Sequence, residues 1–353
     1  MKTKKRIKKH LFLGLSILAA FQLNVLKPAH AGPTLDATRA RGSLLCSSAG
    51  RLHTDPNDYS DAGKIAGFDR DFCRAIAAAT LNNESAIQFT QLIPQNRFQA
   101  LQEGAVDVLI RSTTWTFSRD TSLGVHFAAT NFYDGQGFIA PKNLGITKLG
   151  QLKSLKKKAI ACVEKNTTTR DNVVRYVRDK ALPVEIMEFN TFEELRYSFI
   201  TGKCDLYTAD LSYLVEVRLQ DVPNPDDYLI LDDVISKEPL GAAVRDDDPQ
   251  WFNIVRWVIF ATIQAEELGI SSHNVEDLRK NGNLAQMHFL GAERDLGKSL
   301  DLSDDWAYQV IKSVGNFGEI FERNLGPKTI YNLDRGLNNL WTKGGLIYAP
   351  PFN

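Results

Sequence analysis

The chain of 353 residues has no stretch of 18 consecutive apolar residues, so no segment reads as a membrane-spanning helix. It has no surplus of charge either: 42 basic side chains stand against 42 acidic ones. That balance excludes a broadly basic nucleic-acid binder. Cysteine is scarce, at four residues, and no C-x-x-C occurs. The six histidines are scattered, which argues against a zinc site and leaves no metal or organic cofactor implied. A catalytic cysteine–histidine pair has no support either. What remains, 43% hydrophobic and 24% charged, is an ordinary globular composition. The length suits one large domain or two smaller ones.

The charge balance hides an asymmetry. Residues 1–31 hold seven basic groups and no acidic one, so the remainder carries 35 basic against 42 acidic, a net of −7. Met1 to His10 is cationic, Leu11 to Phe21 is an apolar run of eleven, and Ala29-His30-Ala31 is a small-x-small site. This is the layout of a secretory signal peptide over residues 1–31, removed near Ala31. In an exported chain, Cys46, Cys73, Cys162 and Cys204 read as disulfide partners, for which three connectivities are possible.

Element patterning then points to an α/β fold. Ser43–Cys46 reads as a buried strand, Phe68–Ala77 recurs at helical spacing, and Ala86–Leu92 is strand-like. A short helix over Arg97–Glu103 and an alternating strand over Val106–Ile110 follow. The same order returns after Lys142: strand Ala159–Val163, helix Thr167–Asp179, strand Val184–Phe189, a helix opened by the Thr191-x-x-Glu194 capping box, and strand Cys204–Tyr207. The halves match in detail, since Gly104-x-x-Asp107 and Gly202-x-x-Asp205 both join a helix to a strand. Eight residues past each glycine stands a polar residue, Ser112 and Asp210, at the carboxyl end of a strand, where open α/β sheets bind ligands. Ile235–Arg245 is extended, Trp251–Leu268 is a long helix, and later helices with Trp306, Ile311, Leu337 and Trp341 as apolar anchors should pack on the first half.

Three polar groups stand out. Arg111-Ser-Thr-Thr-Trp-Thr-Phe-Ser-Arg119-Asp120 follows a strand with hydroxyls and a guanidinium, groups suited to a carboxylate. Asn166-Thr167-Thr168-Thr169 lies at a helix start, where unpaired N–H groups attract anions; a plain threonine N-cap competes with that reading. Asp210, at the mouth of a strand, is an acceptor for an ammonium group or a helix N-cap. Together they complement a zwitterion such as a free amino acid.

At this point the chain resembles a family. The segments Gly67-Phe-Asp-x-Asp-Phe-Cys-Arg-Ala75, Arg111-Ser-Thr-Thr-Trp-Thr-x-Ser-Arg-Asp-Thr-Ser-Leu-Gly124, Tyr133-Asp-Gly-Gln-Gly-Phe138, Ile235-Ser-Lys-Glu-Pro-Leu-Gly241 and Leu340-Trp-Thr-Lys-Gly-Gly-Leu346 look characteristic of type II periplasmic solute-binding proteins of the polar amino-acid class. The general L-amino-acid-binding components of ABC importers are the most similar. The resemblance implies a two-lobed, hinge-closing α/β fold, with residues 32–139 plus 240–353 as lobe 1 and 140–239 as lobe 2. Crossovers are expected near 137–142 and 236–244. It implies a periplasmic monomer that captures free L-amino acids and delivers them to an inner-membrane ABC permease, without nucleic acid, metal or catalysis. By the same resemblance Arg119 holds the ligand α-carboxylate with Thr168 and its neighbour Thr167, Ser112 and Thr114 contact its backbone groups, and Asp210 holds the α-ammonium. Two departures bear on side-chain preference: Gly50-Arg51-Leu52-His53-Thr54-Asp55-Pro56 replaces a glycine-rich segment, and Asn166 stands where glycine is usual. The alternatives are a sensor or binding module for another small carboxylate, and a periplasmic dehydratase with Glu238 or Asp134 as general acid. From their places in the predicted elements, the cysteines are expected to pair 46–73 and 162–204, one bridge within each lobe.

Overall fold

The computed structural model describes residues 32–48, 67–292 and 296–352. The expected signal peptide and the departure at 50–56 lie outside the described residues. Helix α1 (Pro33–Arg41) leads into strand β1 (Leu44–Ser48), followed by α2 (Phe68–Leu81), β2 (Ile87–Gln91), α3 (Arg97–Gln102) and α4 (Phe117–Ser122). The long strand β3 (Val125–Pro141) carries the chain to β4 (Ala159–Glu164), α5 (Thr168–Asp179), β5 (Val184–Phe189), α6 (Phe192–Ile200), β6 (Leu206–Asp210), α7 (Leu211–Glu216) and β7 (Tyr228–Ile230). The return strand β8 (Lys237–Arg245) leads to α8 (Pro249–Glu267), α9 (Val275–Asn281), α10 (Leu284–Phe289), α11 (Trp306–Val314) and α12 (Phe317–Asn324).

The two halves repeat one design. β4 lies between β5 and β6, parallel to both, and β1 pairs parallel with β2. The aspartates of the repeated motif make the same reciprocal bonds. Asp107 N–H donates to Leu45 O and its Oδ2 accepts from Leu45 N–H; Asp205 N–H donates to Ile160 O and its Oδ2 accepts from Ile160 N–H. In each half the preceding glycine takes a left-handed φ, +74° at Gly104 and +75° at Gly202, which ends the helix so that the aspartate meets the neighbouring strand.

One expected strand is reduced. Val106–Ile110 makes single bridges, Val108 to Cys46 and Leu109 to Ala243, rather than a ladder. The reason is local: Ile110 N–H donates to the Ser47 hydroxyl at 2.8 Å, so a side chain takes the place of a ladder carbonyl. The strand expected at Cys204–Tyr207 runs instead from Leu206 to Asp210.

β3 joins the two parts. Val125–Gly135 pairs antiparallel with β8, and from Gln136 onward the strand pairs with β6 and then β7. The buried cores divide on either side of this change. One cluster gathers β1, α2, β8, α8, α11 and α12, including Phe72, Trp251, Trp306 and Phe321; others fill the space around β4, β6, α6 and α7. The late helices thus pack on the first half as expected. Trp306 and Ile311 are buried anchors, but Leu337 and Trp341 are 55% and 53% exposed, a correction to the sequence reading. They sit in irregular C-terminal turns with no helix periodicity to turn them inward. Cys46 pairs with Cys73 and Cys162 with Cys204, at Cα separations of 6.3 and 5.8 Å, each bridge inside one core.

Candidate functional site

A cleft open to solvent lies between the two parts, and all six sequence-predicted residues line it: Ser112, Thr114, Arg119, Thr167, Thr168 and Asp210. The first three come from the segment after Ile110, the next two from the β4–α5 junction, and Asp210 from the end of β6. Strand ends from both halves therefore converge on one space, as the repeat requires.

Arg119 is held, not adrift. Its Nη1 donates to Thr114 O at 2.8 Å, and its guanidinium lies 5.4 Å over the Phe98 ring. Burial pulls its pKa below the ordinary arginine value, and the carboxylates of Glu238, Asp210 and Asp171 oppose that shift. A partly desolvated guanidinium among acids is poised to exchange its field for that of a ligand carboxylate. The Thr114 and Thr168 hydroxyls meet across the cleft at 3.3 Å, and Thr168 Oγ1 donates to Glu238 Oε2 at 3.0 Å.

The two threonines at the α5 start divide the roles that the sequence left open. Thr167 is the N-cap: its Oγ1 accepts from Arg170 N–H and donates to Glu164 O. Its hydroxyl serves the helix while its surface borders the cleft. Thr168 presents its hydroxyl to the cleft. Asn166 has φ +59°, a left-handed conformation that asparagine tolerates.

Asp210 occupies the N-cap position of α7 but makes no side-chain capping bond there. Helix α7 presses close to β3 because Gly137 has no side chain: a Cβ there would come within 2.3 Å of Leu211 Cδ2. Ser112 also has positive φ, +50°, and both its N–H (2.8 Å) and its hydroxyl (3.3 Å) donate to Asp69 Oδ2. Asp69 further accepts from Asn131 Nδ2 at 3.0 Å. Burial raises its pKa, against the pull of these donors and of Arg111.

Several lining residues escaped sequence reasoning. Asp69 and Arg111 stand inside the quoted motifs but had no assigned part. Tyr213 and Glu216 follow Asp210 at three-residue steps, the spacing of one helix face, and that signal was legible. Leu325 comes from the far C-terminal region and had no local signal.

Glu238 and Asp134 do not line the cleft. They face each other across the β3–β8 pair. Glu238, 1% exposed, accepts from Thr168, Asn172 Nδ2 and Ser236 Oγ. Asp134 accepts from the N–H and hydroxyl of Ser212 on α7 and from Gly135 N–H. Both are structural acceptors where the strands cross between the parts. Burial raises the Asp134 pKa above 3.8, and the nearby Glu238 adds to that rise. The folded protein therefore keeps a proton that the unfolded chain loses above 3.8. The stability this proton brings is present at acid pH and is lost as pH rises through the folded-state value. Asp134→Asn should flatten that part of the curve, measured as urea midpoints between about pH 4 and about pH 7. An unchanged slope would show that Asp134 titrates alike in both states.

Among the described residues no group of three or more His, Cys, Asp or Glu side chains is arranged to hold a metal ion.

Comparison with known proteins agrees with this geometry. Residues 49–272 match the bacterial extracellular solute-binding proteins, family 3. The general L-amino acid-binding periplasmic protein AapJ of Rhizobium johnstonii is 43% identical over 95% of this chain and 97% of its own. The glutamate/glutamine/aspartate/asparagine-binding protein BztA of Rhodobacter capsulatus is 41% identical over 98% of this chain and 100% of its own. A solved ABC transporter periplasmic binding protein from Brucella ovis with glutathione bound is 45% identical, covers 92% of this chain and 100% of its own, and superposes with a TM-score of 0.86. An interlobe cleft lined by a guanidinium, hydroxyls and a carboxylate, on a mixed α/β frame of this similarity, carries one conclusion: the chain belongs to the bacterial extracellular solute-binding proteins of family 3.

Proposed function

We propose that this chain is a periplasmic binding protein that captures free L-amino acids and hands them to an inner-membrane ABC permease. One observation carries the reading: Arg119 and Asp210 face the same cleft from opposite halves, close enough for the aspartate's charge to act on the guanidinium. A fork for a carboxylate and an acceptor for an ammonium are the two ends of an amino acid. Arg119 and Thr168 take the α-carboxylate, Asp210 the α-ammonium, and Thr114 and Ser112 border the ligand backbone. Thr167 serves by fixing the helix start. The signal peptide over 1–31 directs export, and removal near Ala31 leaves the acidic mature chain.

The same reading makes the two halves mobile lobes, 32–139 plus 240–353 and 140–239, hinged where β3 and β8 run between them. A ligand held from both sides binds the closed arrangement better than the open one and shifts the population toward it. The radius of gyration from small-angle scattering should fall when a bound amino acid is added, and an unchanged radius at saturation would reject hinge closure.

A second reading has a specific observation behind it. The Brucella ovis relative holds glutathione, whose γ-glutamyl end presents a free α-ammonium and α-carboxylate. The same clamp would grip that end, and the cleft has further charged walls in Arg70, Arg97, Glu164 and Glu216. Catalysis is not favoured, because the two acids proposed for it are already held as acceptors, Glu238 by Thr168, Asn172 and Ser236 and Asp134 by Ser212 and Gly135. A calorimetric screen of the twenty amino acids and glutathione, on protein unfolded and refolded to strip ligand, separates the readings. Tight binding of amino acids without turnover supports the first; binding of glutathione alone supports the second; consumption of a ligand would make the chain an enzyme.

A further inference from the structure

The family match ends at residue 272, but the chain continues and returns to the cleft. Arg323 Nε and Nη2 donate to Asp71 Oδ2 at 3.0 and 2.6 Å, and Asn324 Nδ2 joins them at 2.7 Å. Asn324 Oδ1 accepts from Gly67 N–H at 3.0 Å. These bonds pin the end of α12 to the first turn of α2, whose Phe68 and Asp69 line the cleft. From that anchor Leu325, 6% exposed, reaches the cleft wall.

Tyr331 reaches the other side. Gln220 Nε2 donates to its phenolic oxygen at 3.1 Å, across 111 residues of sequence. Gln220 lies in a π-turn, Val217–Asp221, that continues α7, the helix bearing Tyr213 and Glu216 after Asp210. Burial, with Glu216 and Asp221 nearby, pushes the Tyr331 pKa up to about 12, so the phenol is neutral at ordinary pH.

We propose that the C-terminal extension is an interlobe latch: Tyr331, bonded to Gln220, holds the cleft shut over its ligand and slows release. The inference rests on the hinge-closing reading above. Gln220 and Tyr331 sit on opposite sides of the β3–β8 crossing, so their bond belongs to the closed arrangement and weights it against the open one. Other hydrogen bonds among the described residues span the cleft, including Gln95 to Asn190 O at 2.7 Å, Arg97 to Asn166 O at 3.5 Å, and Thr114 with Thr168. All their residues lie within the family match, whereas Tyr331 adds a contact from outside it.

The test is kinetic. Tyr331→Phe, Gln220→Met and the double variant are compared with wild type by stopped-flow, with L-glutamine as probe. Removing one neutral hydrogen bond from the closed state should speed release about 2- to 10-fold, with association little changed. The double variant should be no faster than either single one, as expected of two ends of one bond. Ligand-free thermal midpoints should match wild type. Unchanged release in both single variants, or a lowered midpoint with unchanged release, overturns the latch. A second arm needs no bound ligand, because an irreversible link traps the closed arrangement each time the free protein visits it. In the Gln220→Cys/Tyr331→Cys chain, whose four native cysteines are paired, a short bis-maleimide should link the introduced thiols. Absence of the link overturns the latch even where the wild type binds its ligand. Linking in a protein whose wild type binds no amino acid refutes the functional reading and leaves the latch standing.

Discussion

Arg119→Lys and Asp210→Asn should each lower amino-acid affinity by two to three orders of magnitude or more. Lysine keeps the charge of Arg119 but loses the planar fork, and with it the Thr114 bond that aims the group. Asparagine keeps the size of Asp210 but removes the charge that faces the ammonium. Leaving a buried charge unpaired costs about 3–5 kcal/mol, at about 1.4 kcal/mol per tenfold in affinity. Modified ligands assign the ends. An amino-acid amide lacks the carboxylate, so it should bind weakly to wild type and lose little more in Arg119→Lys. A des-amino acid should behave likewise with Asp210→Asn. If Arg119→Lys weakens the amide as much as the parent amino acid, Arg119 is not the carboxylate clamp. Calorimetry on the four protein–ligand pairs decides this, and the family membership stands either way.

The next largest effect concerns the disulfides. The Cys46–Cys73 and Cys162–Cys204 bridges close loops of 27 and 42 residues. On the chain-entropy account, cross-links of these spans contribute about 3.5 and about 4 kcal/mol by restricting the unfolded chain. All four sulfurs are in buried residues, so replacement by alanine adds a small packing loss. Urea unfolding of the Cys46→Ala/Cys73→Ala and Cys162→Ala/Cys204→Ala proteins should show losses of that size. Because each bridge lies inside one core, neither tethers one lobe to the other. Ligand-induced compaction should therefore persist in both variants. A loss below about 1 kcal/mol would place the stabilisation elsewhere, and a loss of compaction would mean that a bridge shapes the hinge.

The local grammar of this chain was open to reading without coordinates. Apolar residues at 3.6 and 2.0 spacing marked helices such as α5 and strands such as β4 because burial of one face imposes those periods. The Gly-x-x-Asp repeat marked two equivalent strand starts, since the same reciprocal backbone and carboxylate bonds form at Leu45 and Ile160. Equal offsets from those motifs then placed Ser112 and Asp210 at strand ends. Even the disulfides followed, since residues on a strand and on its neighbouring helix or strand are close in space.

Only the tertiary structure decided the rest, most often because the deciding partner is distant in sequence. Whether Val106–Ile110 forms a ladder depends on the hydroxyl of Ser47. Thr167 and Thr168 are chemically alike in sequence, and helix geometry turns one to its own cap and the other toward Glu238. Glu238 and Asp134 look like acids available for chemistry until β3 and β8 set them opposite each other as acceptors, Glu238 fully buried. Leu337 and Trp341 are apolar, but nothing packs over enough of them to bury them. Leu325 and Tyr331 carry no motif at all. Leu325 reaches the cleft wall, and Tyr331 reaches Gln220, because Asp71, more than 250 residues before Leu325, anchors Arg323 and Asn324, a contact that only the folded chain can make.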